Sequence, residues 1–432
     1  MQPQLRRALS AAASASARPR RVLSTAASRP SWAMIDQLML VDSAAPRASL
    51  QLAEPPRATN LLVPAHYVNW RPRSEGGRLS GMLRGASGDG LLLLVFEFQD
   101  ARPTAPLVSH VRRDGAEISI HRADDPDIAR FVCNPLSGEL VRLPDIDGTK
   151  KDPNYWEPLG IVTQSVRGDG PPDRYAVADL IVDGEGEGRS FVMRRFFSET
   201  REWDKVVGLA SPLPLPRRMD IDREVIAFAG RLWWVDLTWG AISADPFSDR
   251  PELSFVELPK DSVWAVPGPR ANQIAAQGMY RRMGVSEGRL RYVEVSQEEP
   301  FVLSSFALDG DCRGWKLEHQ VALSPIWPDA GKEGTPRIGV IDPLNASFIC
   351  VIAGHHSLAI DMENGKVLKS SLIHEDEIGF PQEFAIFSAF LKPCVLPPWL
   401  GSSRIPSAGT ISSKESRTFP DIMLRVDRAK KN

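Results

Sequence analysis

From about residue 32 onward, short runs of alternating apolar and polar positions recur, separated by Gly, Asp, Pro or Asn. The runs are 91–98, 116–123, 175–182, 189–197, 231–237, 289–296, 301–308, 347–353 and 357–362. Period-two alternation, β-branched and aromatic content, and flanking turn residues predict strands at each of them. Asn364-Gly365 between two runs is the strongest hairpin signal. Asp309-Gly310 and Ser137-Gly138 carry similar turn chemistry. Helical spacing is scarce: 271–283 predicts a helical turn or two, and 381–391 another.

The runs repeat. Gly230-Arg231-Leu232 and Gly288-Arg289-Leu290 each open a strand. Phe197 to Trp203 and Phe306 to Trp315 share a layout, in which a strand ends in Phe, a polar turn follows, and Trp opens the next strand. A period near 50–58 residues with several strands per unit is that of propeller blades. A blade cannot cover its own two faces, so blades must stack. The fold expected is all-β, a β-propeller of about six blades over 31–400, with an irregular β-sandwich as the alternative. Residues 42–60 read as a polar, Pro-rich linker. Residues 401–432 read as a loop followed by a closing strand at 422–426.

Residues 1–30 differ from all of this. Residues 1–35 hold six Arg and no Asp or Glu, and the stretch is rich in Ser and Ala. That is the composition of an organelle transit peptide, with Leu5, Leu9 and Ala12 at helical spacing and Arg6 and Arg7 beside them. Arg21-Val22-Leu23-Ser24 resembles a mitochondrial processing site, with cleavage between Leu23 and Ser24. Arg outweighs hydroxylated residues near the start, which favours the mitochondrion. The chloroplast is an alternative, as is the cytosol or nucleus if the segment is a low-complexity tail.

Composition narrows the function classes. Apolar residues at 43% supply a core, and 32 Gly, 36 Pro and 11 Trp suit many turns and sheet cores. The formal net charge is −2, and five Arg lie within residues 1–23, so the body is acidic and nucleic acid is not an expected partner. The longest apolar run, 91–98, contains Glu97 and is too short to span a bilayer. Cys133, Cys312, Cys350 and Cys394 lack zinc or redox spacing and read as reduced and buried.

The segment Phe131-Val132-Cys133-Asn134-Pro135-Leu136-Ser137-Gly138-Glu139-Leu140-Val141-Arg142-Leu143-Pro144 resembles the blade segment of plant kelch-like and F-box-associated propellers. With Pro30 to Asp36, Gly230 to Asp236, Trp239-Gly240, Asp245-Pro246, Pro397 to Leu400 and Asp421 to Arg428, it resembles the plant, grass-type family called domain of unknown function 1618. The resemblance spans about residues 30–428 and implies a propeller. The family has no established catalytic residues, so it implies none here. The basic head occupies the place of an F-box, so no ubiquitin-ligase adaptor role is expected.

Candidate chemistry is sparse. Trp233, Trp234 and Trp239 beside Asp236 form either an aromatic ligand platform or core packing, with Trp233 and Trp234 on opposite faces of a strand. His355-His356 after Gly354 reads as a hairpin turn, with a ligand role as the rival. Arg194-Arg195, Arg217-Arg218 and Arg281-Arg282 form either an anionic-ligand patch or exposed ion pairs. Asp183 to Gly188 mimics a calcium loop, but Arg194 stands where the bidentate Glu is required. P-loop, nucleophile-elbow and zincin motifs are lacking. No catalytic residue, metal or cofactor is expected. Trp239, His355, His356, Arg281 and Arg282 are the candidate ligand or partner surface. The expected function is a non-enzymatic protein-interaction module in an organelle. The alternative is a hydrolase-like enzyme with an acid/base site in the propeller channel.

Overall fold

The first described strand and the last described strand pair with each other. In this computed structural model, β1 (Trp32–Asp36) lies antiparallel to the strand Leu391–Val395 near the other end of the chain. The structure describes residues 29–42, 45–68, 78–99, 107–113, 116–122, 127–150, 159–166, 168, 170–184, 189–214, 217, 219, 224–263, 278–310, 314–327, 335–372 and 391–406. After β1 come β2 (Leu40–Asp42), β3 (Ser49–Gln51), β4 (Asn60–Pro64) and a single helical turn, α1 (Ala65–Val68).

Five four-stranded sheets follow among the described residues, each with antiparallel neighbours. Blade 1 comprises β5 (Arg78–Ala86), β6 (Leu92–Gln99), β9 (Asp127–Cys133) and β10 (Leu140–Arg142), with the hairpin β7 (Leu107–Arg113) and β8 (Ala116–Arg122) inserted between β6 and β9. Blade 2 is β11 (Gly160–Gln164), β12 (Arg174–Asp183), β13 (Ser190–Phe197) and β14 (Glu202–Ala210). Blade 3 is β15 (Glu224–Phe228), β16 (Arg231–Asp236), β17 (Gly240–Ala244) and β18 (Ser254–Glu257). Blade 4 is β19 (Arg281–Ser286), β20 (Arg289–Val295), β21 (Val302–Leu308) and β22 (Trp315–Ala322). Blade 5 is β23 (Arg337–Ile341), β24 (Phe348–Ala353), β25 (His356–Asp361) and β26 (Lys366–Leu372), and β27 (Leu391–Val395) comes last. The fold is an all-β propeller. Five blades are found where the repeat length predicts about six.

The first strand of each blade lines the axis. The sequence β5, β11, β15, β19, β23 runs from neighbour to neighbour, and β27 sits against both β23 and β5. The ring therefore closes through a strand from the end of the chain paired to one from its start. The Gly90 turn of blade 1 fits tightly here. Its φ is +88°, and a Cβ would lie 2.3 Å from the Val395 carbonyl oxygen.

The inner strands of neighbouring blades bury their facing sides against one another, as the stacking argument demands. Ile161, Tyr175 and Val177 of blade 2 pack with Leu83, Leu94 and Phe131 of blade 1. Phe191 and Met193 pack against Trp234 and Ile242 across the next interface. Trp233 and Val235 meet Met283 and Tyr292 of blade 4. Val293 and Leu303 meet Ile338 and Ile349 of blade 5. Trp32, Met34 and Leu391 meet Val340 and Cys350. Thus adjacent Trp233 and Trp234 fill opposite interfaces of one strand, which is the core reading of that pair.

The recurring Trp has a defined task. Trp203 Nε1 of β14 donates to the Pro144 carbonyl at 2.8 Å, and Trp315 Nε1 of β22 donates to the Glu257 carbonyl at 2.7 Å. Each indole therefore staples its blade to the one before. Trp203→Phe and Trp315→Phe are expected to lower stability by about 1 kcal/mol each. The double variant should show additive losses in urea unfolding, because the staples lie in different interfaces. Strong non-additivity would show that they are not independent.

The family segment at 131–144 is equally physical. Asn134 Oδ1 accepts from the Leu136 and Ser137 amides at 3.0 and 3.1 Å, fixing the turn between β9 and β10. Gly138 has φ +73°, and a Cβ there would lie 2.4 Å from the Ala48 carbonyl oxygen. The Asn364-Gly365 hairpin forms as expected between β25 and β26.

Three readings need correction. Part of 42–60 is not a linker: β3 pairs with β4, and Thr59, fully buried, bridges to Ile35. Ala48 to Leu52 do alternate, but the run is short and the flanking Pro46, Pro55 and Pro56 give it the look of a linker. Within 271–283 the described residues 278–280 are helical as expected, but Arg281 to Met283 open β19, and Leu391 opens β27. The expected strand at 422–426 lies outside the described residues, as do 381–390. The closing pair that is seen is β1 with β27.

Candidate functional site

The inner strands bring three charged side chains together at the axis. Glu224 is the first residue of β15, Arg282 the second of β19 and Lys392 the second of β27. They are 6%, 3% and 6% exposed. Lys392 Nζ donates to Glu224 Oε1 at 2.8 Å, and Arg282 Nη2 lies 3.5 Å from the same oxygen. Arg282 Nη2 also donates to the Leu391 carbonyl. The group thus ties blades 3 and 4 to the closing strand.

Electrostatics set the protonation states. Burial pushes the Glu224 carboxyl up, but Lys392 and Arg282 together outweigh burial and hold it below the ordinary value. Burial lowers Lys392, and the charges of Arg282 and Arg84 add to this against the opposing pull of Glu224. Burial likewise lowers Arg282. The carboxylate stays ionised because its cations are as deeply buried as it is.

Of the residues singled out in the sequence, Arg282 belongs to this cluster and the others lie elsewhere. Trp239 is buried, and its Nε1 donates to Glu257 Oε1 at 3.1 Å. Its ring lies 4.9 Å from that of Phe255, with the Arg217 guanidinium 4.7 Å from its centroid. It therefore presents no open platform. Arg281 donates to the Leu237 and Ser262 carbonyls at 3.1 and 2.6 Å, holding blade 4 to blade 3. Arg194 pairs with buried Asp179, with Nε 2.9 Å from Oδ2. Arg195 meets Asp204 and the Pro246 and Ser248 carbonyls. These arginines are interior ties and not exposed pairs. His355 is exposed at the turn between β24 and β25, and His356 Nδ1 lies 3.3 Å from Ser370 Oγ. Leu23 and Ser24 lie outside the described residues.

Among the described residues no group of three or more His, Cys, Asp or Glu is placed to hold a metal ion. Cys133, Cys350 and Cys394 are free and buried. Burial pushes Cys350 and Cys394 up to about 12 and Cys133 higher, so all three stay protonated thiols. No described helix is long and apolar enough to cross a membrane.

Sequence reasoning missed Glu224 and Lys392. Neither belongs to a recognisable motif, and they are 168 residues apart. Only Arg282 had drawn notice, as half of a basic pair.

No curated protein matches the chain. Among solved structures, it is similar to the β-propeller domain of Myceliophteria thermophila Cps50 (Swd1), at 11% identity, covering 67% of this chain and 84% of that one, with a TM-score of 0.30. It is similar to the periplasmic gluconolactonase PpgL of Pseudomonas aeruginosa, at 13% identity, with 81% and 89% covered and a TM-score of 0.30. A putative 6-phosphogluconolactonase of Bacteroides fragilis is similar at 12% identity, with 79% and 96% covered and a TM-score of 0.28. The fold rests on the strand pairing above and not on these likenesses. Trp239-Gly240 and Asp245-Pro246, two of the pieces that carry the family resemblance, fall inside the stretch from Trp234 in blade 3 to Val351 in blade 5. Over those residues, 234–351, the chain matches the model of the family described as "Protein of unknown function (DUF1618)".

Proposed function

We propose that this chain is a non-enzymatic protein-interaction module, built as a propeller of six units and delivered to the mitochondrion. The observation that carries the interaction reading is at the rim. β14, β22 and β26 are edge strands, each paired on one side only. They present Val207 (65% exposed), Leu317, Leu368 and Leu372 (60% exposed) to solvent. An unpaired edge bearing apolar side chains is a template for an added strand or a docked protein. The axis supports the same reading, because its carboxylate is neutralised by two cations and is not left to exchange a proton. The sixth unit is β27 with β1, extended by the Ile35–Thr59 bridge toward β4. It would take the place between blades 5 and 1.

Proximity labelling with the intact chain tests the rim. Val207→Asp, Leu317→Asp and Leu372→Asp combined are expected to remove a defined subset of partners while the fold persists. An unchanged partner set would overturn the reading. Residues 1–40 fused to a reporter test the address. A mitochondrial signal supports it, and a cytosolic or plastid one refutes it.

A further inference from the structure

Arg282 and Lys392 both turn on one carboxylate, and the account does not balance. Arg282 Nη2 has Glu224 and the Leu391 carbonyl. Arg282 Nη1 is buried and has no hydrogen-bond acceptor among the described residues. A charged donor removed from water without an acceptor bears its full desolvation cost, and such an orphan marks a missing partner. Lys392 has three N–H donors, of which its hydrogen bond to Glu224 uses one. Two buried cations thus share one buried anion. Arg84 of β5, which has an interaction of its own, stands near enough for its charge to act on Lys392.

We propose that this axial cluster binds a small oxyanion, a phosphate or carboxylate group, held by Arg282 Nη1 and Lys392 Nζ. An anionic oxygen supplies the acceptor that Nη1 lacks. Its charge answers the excess that Glu224 leaves. Guanidinium is the side chain best matched to such a group, since its planar fork donates along fixed directions. The donors stand on β19 and β27, so binding orders little that is not already ordered. The downward push of burial on both cations is the strain that a bound anion would relieve. The site is independent of the rim proposed for protein partners, and either can fail alone.

The test uses the intact chain at constant ionic strength, titrated calorimetrically with inorganic phosphate and separately with acetate. Saturable one-site binding of either is expected. Phosphate alone identifies a phosphate group, and acetate alone a carboxylate. Arg282→Gln should weaken that binding at least about tenfold, and Lys392→Gln should weaken it too. Should both variants fail to fold, amide exchange of the unmodified chain decides. Saturating anion should slow exchange in β19 and β27 more than in β14 and β26. No saturable binding of either anion would overturn the proposal. So would equal affinity in a folded Arg282→Gln chain, or protection spread evenly over all strands.

Discussion

Glu224→Ala is expected to destabilise the folded ring by about 3–5 kcal/mol, because it leaves two buried cations without their counter-charge. Arg282 and Lys392 are 3% and 6% exposed, so bulk solvent screens the stranded charges only weakly. The loss should appear as a lower urea midpoint with little change in slope. Adding Lys392→Met to Glu224→Ala should recover part of it, since one of the stranded charges is then gone. A loss below about 1 kcal/mol would show that the pair contributes no more than a surface one. The same carboxylate sets a pH dependence. Its folded value lies below its unfolded one, so its contribution is complete above the ordinary glutamate range. It is lost as pH falls through the depressed value. Glu224→Gln should remove that part of the acid profile, measured by urea midpoints across pH 3–6.

The strands β6, β12, β13, β16, β20, β21, β24 and β25 were legible because each is a short apolar run bounded by turn residues. β25 and β26 announce themselves through Asn364-Gly365, and β16 through its paired indoles. The Trp203 and Trp315 layout was legible as a repeat, and the structure supplies its cause in the two inter-blade hydrogen bonds. The closing unit was not legible. β3 has only three residues between Pro46 and Pro55, and Thr59 is buried although its residue type is polar. The axial cluster was hidden for another reason. A propeller gathers one side chain from each inner strand, so its central residues are spaced by whole blades along the chain. Glu224 heads a strand like any surface acid, and Lys392 precedes a Pro in an unremarkable run. Local pattern carries no information about which charges meet across an axis. The arginine pairs failed in the opposite direction. Adjacent Arg residues in an acidic body read as surface, yet Arg194, Arg195, Arg281 and Arg282 are placed on strand interiors and reach carbonyls and carboxylates of neighbouring strands.

Trp234→Ala is expected to cost about 3–5 kcal/mol, the range for emptying an aromatic site in a packed core. Trp234 is fully buried on β16, opposite Val225 on β15 and Ile242 on β17. Its face belongs to the interface with blade 2, among Phe191, Met193 and Leu180. Blades cover one another's faces, so the void opens between two units and not inside one, and neither sheet can collapse into it without breaking its own ladder. Trp233→Ala on the same strand should damage the other interface, where Tyr292 and Met283 lie. Amide exchange separates the two. The first variant should speed exchange first in blade 2 strands β12 and β13, and the second in blade 4 strands β20 and β21. Identical patterns from both would mean that the interfaces melt as one unit. The ring would then owe its stability to closure through β1 and β27 more than to the pairwise stacking of neighbouring faces.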